Sequence, residues 1–306
     1  MNNTIEKSQP NRRRPRFVGT RWNIKTAPYL FLLPTIIVFC VFMIYPFVSS
    51  FFMSFQELEG GKFVYVGLKN YIRLMKDSIF ITALKNTTIY LLIQVPIMLV
   101  LALVIANMLN QRFLKAKGFF RVSVFLPCVT ALVAYALIFK LLLNTEYGLV
   151  NYLLTSLGFP KVDWLNGPIS AKISLIIALT WRWTGYNTVI MIAGLQRIPE
   201  EIYEAADIDG ASSFQKFKQI TIPLMKPIIL FCAITSTIGT LQLFDESYIL
   251  THGGPDNATI TVVHYLYNMG FRYLKFGYAA AMSYVLLIIV AILSAIQFKI
   301  SGSDDL

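Results

Sequence analysis

Residues 196–227 read QRIPEEIYEAADIDGASSFQKFKQITIPLMKP, the longest polar, structurally punctuated run between long apolar blocks. The pattern predicts two short helices. Pro199 suits the first turn of a helix, where a missing N–H costs nothing, and Glu200, Glu201 and Glu204 favour the positive end of its dipole. Ile202, Ala205, Ala206 and Asp209 follow at roughly helical spacing and give a small, partly apolar face. Gly210 suits the left-handed conformation that closes a helix. Ser212 with Gln215 three residues on predicts a capping box for the second helix. Phe214 and Phe217 share a face of that helix, and Pro223 and Pro227 limit its extension. A hairpin that turns Ala, Gly and two Phe outward is expected to dock into another protein.

The blocks on either side place this hairpin in a membrane protein. The 306-residue chain is 56% hydrophobic, with a positive mean hydropathy and only 14% charged residues, too apolar for an ordinary soluble domain. Its net charge of +11 does not point to nucleic acid, because the basic residues gather at the ends of apolar runs, where they set membrane orientation. Cys40, Cys128 and Cys232 all lie inside apolar blocks and read as small buried hydrophobes, not as a disulfide or metal framework.

Apolar runs long enough to cross the hydrocarbon core as helices fall near 28–52, 83–108, 120–143, 172–194, 228–249 and 277–298. The expected fold is therefore all-α and polytopic. A cytoplasmic arm over 1–27 precedes a six-helix transmembrane domain over 28–300, and a short cytoplasmic tail follows over 301–306. Pro34, Pro46, Pro96 and Pro127 lie within spans, where proline is tolerated. Arg12, Arg13, Arg14, Arg16, Arg21 and Lys25 precede a run too long for a cleaved signal, so it is read as an uncleaved first span. Arg112, Lys115, Lys117 and Arg121 also belong inside, whereas Lys62, Lys69, Arg73 and Lys76 of the first loop are offset by Glu57, Glu59 and Asp77. Six crossings from an inside start return the 196–227 loop and the C-terminus to the cytoplasm. The 147–154 segment has helical spacing and is expected along the outer surface. Thr251-His252-Gly253-Gly254-Pro255 reads as a tight turn. His252 and His264 lack a partner set with metal-ligand spacing.

Polar residues inside spans are where function is expected, because hydrocarbon does not compensate them. Residues 181–188, WRWTGYNT, and 235–242, TSTIGTLQ, stand out. Aromatic faces beside neutral hydrogen-bonding groups suit an uncharged polyhydroxylated solute. For Ser236 and Gly239 a second reading is open, in which small residues only let helices approach. Arg182 reads as a structural partner for Asp245 or Glu246, with an outer, hydrated position of those acids as the alternative.

Glu204-Ala205-Ala206, with Gly210 six positions after the Glu, Ile220 ten further on and then Pro223, matches the EAA loop that marks membrane subunits of bacterial ABC importers. From residue 25 onward the chain resembles sugar-importer permeases of the maltose-transporter type. The carrying residues are Tyr29-Leu30-Phe31-Leu32-Leu33-Pro34, Gly185-Tyr186 and the Gly253-Gly254-Pro255 turn. The likeness is greatest to the first of the two permeases, the MalF-like partner. It implies that Glu204, Ala205, Ala206, Asp209, Gly210, Phe214 and Phe217 couple to a cytoplasmic ATPase. Aligned on Gly185-Tyr186, it implies substrate contacts at Trp181, Thr184, Gly185 and Thr188. Aligned on the Gly-Gly-Pro turn, it implies contacts at Ser236, Gly239, Thr240 and Leu243. The implied partners are a second EAA-loop permease in a heterodimer, two ABC ATPase subunits, an extracytoplasmic solute-binding protein and membrane lipid, in the bacterial cytoplasmic membrane. The implied solute is an oligosaccharide of the cello-, galacto- or malto- type, and no cofactor is expected.

This chain is not expected to be the motor, since its Gly61-Lys62 pair is followed by Phe63 and no phosphate-cradling G-x-x-x-x-G-K-[ST] is present. Nor does it show a nucleophile–base or zinc-protease pattern, so an enzyme is not expected. The rival reading, an ion-coupled secondary transporter, predicts an internal repeat and midplane carboxylates, neither of which is evident.

Overall fold

The computed structural model describes residues 27–111 and 114–300. The expected N-terminal arm, Arg112 and the 301–306 tail lie outside the described residues. The chain divides into two units, residues 1–49 and 50–306. In the first, α1 (Ala27–Phe39) runs through a π-helical turn at Cys40–Ile44 into α2 (Tyr45–Met53). Over 28–48 its side chains are exposed, Phe31 and Phe42 among them. Cys40 is exposed with them and Cys128 is half-buried; Cys232 alone of the three is buried. The reading of all three as buried residues is thus corrected, since an apolar run does not by itself imply a protein core around it.

The second unit opens with an antiparallel ribbon, β1 (Gln56–Glu59) and β2 (Lys62–Tyr65), paired Gln56 to Tyr65 and Glu59 to Lys62. Gly60 and Gly61 both have positive φ, which a two-residue hairpin turn requires. The all-α expectation is amended by this ribbon. Helix α3 (Lys69–Lys76) leads to α4 (Ser78–Asn110), whose 33 residues exceed the thickness of the hydrocarbon core. Asp77 caps α4 by accepting from the Ile79 and Phe80 amides, and its other oxygen accepts from Tyr265 and Tyr278 at 2.7 and 2.6 Å. Burial pushes the Asp77 carboxyl up, but these hydrogen bonds outweigh it and hold the pKa below the ordinary value.

The expected third span is broken. α5 (Lys117–Val129) and α6 (Leu132–Leu142) meet at 96° across Thr130 and Ala131, both of which are extended. α7 (Leu149–Ser156) is folded around buried Asn151. Its amide donates to Thr145 O and Val162 O, and its Oδ1 accepts from Val162 N and the Trp164 indole. α8 (Pro168–Leu195) packs along α4, then come α9 (Glu200–Ile208) and α10 (Ser213–Lys216). α10 passes through a second π-helical turn, Phe217–Thr221, into α11 (Ile222–Leu241) and on to α12 (Asp245–Ile249). Pro223 lies in the first turn of α11 and Pro227 within it, so neither proline ends the helix. Both prolines are tolerated inside a membrane helix, and the π-helical turn before Pro223 already departs from the regular ladder that its ring would break. α13 (Val262–Tyr267) and a third π-helical turn, Asn268–Arg272, precede α14 (Phe276–Ile300).

Among the described residues four helices are long and apolar enough to cross a membrane, near 28–53, 78–110, 213–249 and 276–300, and the bent pair makes a fifth if counted as one span. α8 has the length, with 28 residues, but carries the polar run 181–188 through its middle. Glycines set two close approaches. A Cβ at Gly185 would lie 1.9 Å from Val124 O of α5, and one at Gly277 would lie 1.8 Å from Gln56 O of the ribbon.

Candidate functional site: a transport cleft and a docking hairpin

α4, α8 and α11 enclose a cleft of about 230 Å³. Leu179, Trp183, Tyr186 and Asn187 reach it from α8 at spacings of four, three and one, a single helical stripe. α4 contributes Gln94 and Met98; α11 contributes Thr235, Ser236, Gly239 and Thr240, and Leu243 lies just beyond its end. The Trp183 and Tyr186 rings meet edge to face at 6.1 Å, and both are partly exposed. Thr240 donates to Gln94 Oε1 at 3.4 Å, and the Asn187 amide donates to Trp183 O at 3.1 Å. Asn187 is buried, yet its Oδ1 has no donor. A buried acceptor without a partner costs about 1–3 kcal/mol. Among the described residues no Asp, Glu, Lys or Arg lines the cleft.

The eight positions implied as substrate contacts thus fall into two groups. Ser236, Gly239, Thr240 and Leu243 line the cleft. Thr184, Gly185 and Thr188 are buried on the other side of α8, where Thr188 approaches Ala102 O of α4 and Gly185 meets α5, and Trp181 stacks on Tyr135 and Phe139 of α6. A Cβ at Gly239 would meet nothing within 4 Å, so within this chain Gly239 does not serve close helix packing; Gly185 does. Trp183, Tyr186 and Asn187 of the cleft wall belong to the polar run, and Gln94 is a polar residue in the middle of an apolar span, a signal that composition alone offered.

Arg182 does not pair with Asp245 or Glu246. Its guanidinium donates to the carbonyls of Thr130, Cys128 and Pro127 at 2.8, 3.2 and 3.4 Å. Glu246 is buried, not hydrated, and accepts from the Tyr135 hydroxyl at 2.6 Å. A helix C-terminus presents several unpaired carbonyls at its negative end, and these satisfy the guanidinium in place of a carboxylate.

At the other end of α8 lies the hairpin. α9 closes with Ala211 N–H donating to Ala206 O and Gly210 N–H to Asp207 O, around Gly210 at φ +76°, a Schellman closure. Ser212 accepts from Gln215 N at 3.3 Å while Gln215 Oε1 accepts from Ser212 N at 2.7 Å, completing the capping box. Lys216 pairs with Asp207 and Tyr203 bonds Thr221, tying the two arms together. Glu204, Ala205, Asp209 and Gly210 are exposed, Ala206 is half-buried, and Ile208 and Phe214 are 87% and 71% exposed. Phe217 instead turns inward onto the cluster of Ala106, Met191, Leu195 and Met225, so one Phe faces out and the other anchors the hairpin. Behind the hairpin a polar hollow of about 490 Å³ separates it from the ends of α4 and α8.

His264 lies beside the 251–255 turn, bonded through Nδ1 to Ser247 Oγ at 2.9 Å. Burial, with Arg272 and His252 nearby, pushes its pKa down to about 4. Among the described residues no group of His, Cys, Asp and Glu is arranged to hold a metal.

Residues 87–301 match the family described as the binding-protein-dependent transport system inner membrane component. The chain is 48% identical over 275 residues to the lactose transport system permease protein LacF of Rhizobium radiobacter, covering 88% of this chain and 92% of the relative. It is 40% identical to the arabinooligosaccharides transport system permease protein AraP of Bacillus subtilis (strain 168), covering 91% and 90%. A chain of a bacterial alginate ABC transporter, solved with an alginate pentasaccharide-bound periplasmic protein, superimposes with a TM-score of 0.79 at 24% identity over 90% of this chain and 93% of that one. The chain thus belongs to the family of binding-protein-dependent transport inner membrane components, a transport subunit and not itself an enzyme.

Proposed function

We propose that this chain forms half of the translocation pathway for a neutral short oligosaccharide, in a heterodimer with a second EAA-loop permease. The cleft supports this reading: aromatic, amide and hydroxyl groups line it, and among the described residues no charged side chain does. The wall offers nothing to neutralise a uronate. Two relatives of this chain carry names for lactose and arabinooligosaccharide transport, and a galactoside is the first solute to test.

Six crossings, both termini in the cytoplasm and a location in the bacterial cytoplasmic membrane complete the reading. α8 then counts as a span because its polar run faces the cleft and neighbouring helices. The hairpin seats Glu204, Ala205, Asp209, Gly210 and Phe214, together with Ile208, in a cleft of one of two ATPase subunits. A solute-binding protein delivers the sugar at the opposite face. ATP-driven closure of the ATPases moves the hairpin as a lever and shifts the population between inward- and outward-facing packings.

The test is uptake into vesicles holding the two permeases and the ATPase, with binding protein and labelled neutral and acidic oligosaccharides outside. ATP-dependent accumulation of a neutral sugar is expected, and Ser236→Ala should raise the concentration needed for half-maximal uptake about tenfold, the size of one lost hydrogen bond. Uptake driven by an ion gradient without ATPase, or preference for a uronate, would overturn the reading.

A further inference from the structure

Arg182 sits midway along α8, 5% exposed, on a side of the helix that does not open to the cleft. The three carbonyls it holds are the last of α5 and the first beyond it, at the 96° break. The same guanidinium lies 4.7 Å over the ring of Tyr135 in the first turn of α6. The Tyr135 hydroxyl in turn donates to Glu246 in the first turn of α12, and both residues are almost fully buried. Phe244 alone separates α12 from Leu243, which lines the cleft at the end away from the hairpin and whose carbonyl accepts from Thr261 at 2.6 Å.

We propose that Arg182, Tyr135 and Glu246 form a latch that fixes the α5–α6 bend and, through α12, holds the Leu243 end of the transport cleft, which makes Arg182 a positioning residue and not a solute ligand. The shape of the guanidinium is what the site uses. A planar fork can donate to carbonyls in several directions and still present a face to an aromatic ring, which an ammonium cannot do. Tyr135 stands between Arg182 and Glu246 and engages one with its ring and the other with its hydroxyl, so α6 cannot swing without leaving both. Such a swing strips the buried Glu246 carboxyl of its donor, a cost that favours one intact and one released arrangement over a continuum. Release of the latch would free α12 and open the cleft at Leu243.

The proposal takes transport as its setting, but its first readout does not need the sugar. Spin labels at Val122→Cys on α5 and Leu141→Cys on α6, both exposed positions, would be placed in a chain with Cys40, Cys128 and Cys232 replaced and assembled with its partner permease and ATPases in nanodiscs. One narrow distance distribution is expected for the parent. Tyr135→Phe keeps the ring but loses the bond to Glu246, and should add a second population and lower stimulation of ATP hydrolysis by loaded binding protein about tenfold, within the usual range of coupling between sites. Arg182→Lys should behave like Arg182→Gln, whereas Glu246→Gln, which still accepts from Tyr135, should restore the single distance. An unchanged distance distribution in Tyr135→Phe, or Glu246→Gln as disruptive as Tyr135→Phe, would overturn the latch. If the Arg182 variants fail to assemble, Tyr135→Phe and Glu246→Gln decide it. Absence of sugar uptake in the parent would refute the transport reading and leave the distance test intact.

Discussion

The hairpin over 200–221 and the turn over 247–264 join apolar helices with segments of similar polarity, yet their side chains meet opposite fates. In the turn, Ser247, Thr259, Thr261 and His264 are all buried, and they bond one another or nearby carbonyls. Asn86 of α4 adds two more bonds, to Asn257 O and Ile260 O. In the hairpin the capping box, the Schellman closure, the Lys216–Asp207 pair and the Tyr203–Thr221 bond all stay within the hairpin itself, while Ile208 and Phe214 stand in the open. A network that is fully satisfied within the chain rigidifies it, and an exposed apolar pair above a locally stable backbone is a surface awaiting cover. Polarity of a connector therefore says little about its role; where its hydrogen bonds terminate says more.

The comparison breaks most visibly if the hairpin tolerates bulk. Ala205→Trp should lower ATP-driven uptake about a hundredfold, the loss typical of a central contact in an interface, with membrane yield and thermal midpoint of the isolated permease unchanged. Parent-like uptake would show that this face meets no ATPase. The turn should respond the other way. Ser247→Ala leaves Thr259 O and His264 Nδ1 without their partner, and should cost about 2 kcal/mol of stability, read as a lowered melting temperature in detergent. An unchanged midpoint would mean the network is not what holds the turn.

The turn also predicts a pH response. His264 titrates near 4 in the fold against an ordinary value of 6.5, so the folded state resists the proton that the unfolded chain accepts. Its contribution is fully present above pH 6.5 and is lost as pH falls toward 4, about 1.4 kcal/mol of it by pH 5.5. Melting temperature in detergent should fall over that window, and His264→Gln should flatten this part of the curve. A parent whose midpoint is constant from pH 7 to 5 would place His264 in water.

The two connectors were also unequally legible. Ser212 with Gln215, and Gly210 after α9, carry their meaning within a few residues, and the structure forms both as the pattern predicts. Phe214 and Phe217 share a helical face by spacing, but the π-helical turn beginning at Phe217 shifts the register of the helix beyond it, and no local signal separates the Phe that anchors from the Phe that shows. The same limit applies to α8. Its run 181–188 announces a site, but the stripe that opens to the cleft depends on Val124 at Gly185 and on the carbonyls bound by Arg182, contacts more than fifty residues away in sequence. Backbone carbonyls have no residue signature, so a carboxylate was the natural expectation for that arginine. The 96° break itself comes after Pro127 at a distance where proline alone does not decide between a kink and a straight helix.

The smallest expected effect lies in the capping box, and it separates local from global stability. Ser212→Ala removes the acceptor for Gln215 N–H and should cost about 1 kcal/mol. In the turn such a loss would spread, because every partner is buried against another helix. In the hairpin it should stay local, since the bonds of Ser212 and Gln215 end within four residues and both side chains are exposed. Amide hydrogen exchange should therefore quicken about fivefold over 212–216, the factor that 1 kcal/mol of local opening implies, with exchange over 247–264 and the melting temperature unchanged. Ser212→Asp, which can still accept, should restore the slow exchange. If Ser212→Ala instead lowers the melting temperature, the hairpin is part of the folded core, and its exposed Ile208 and Phe214 must be explained without a partner.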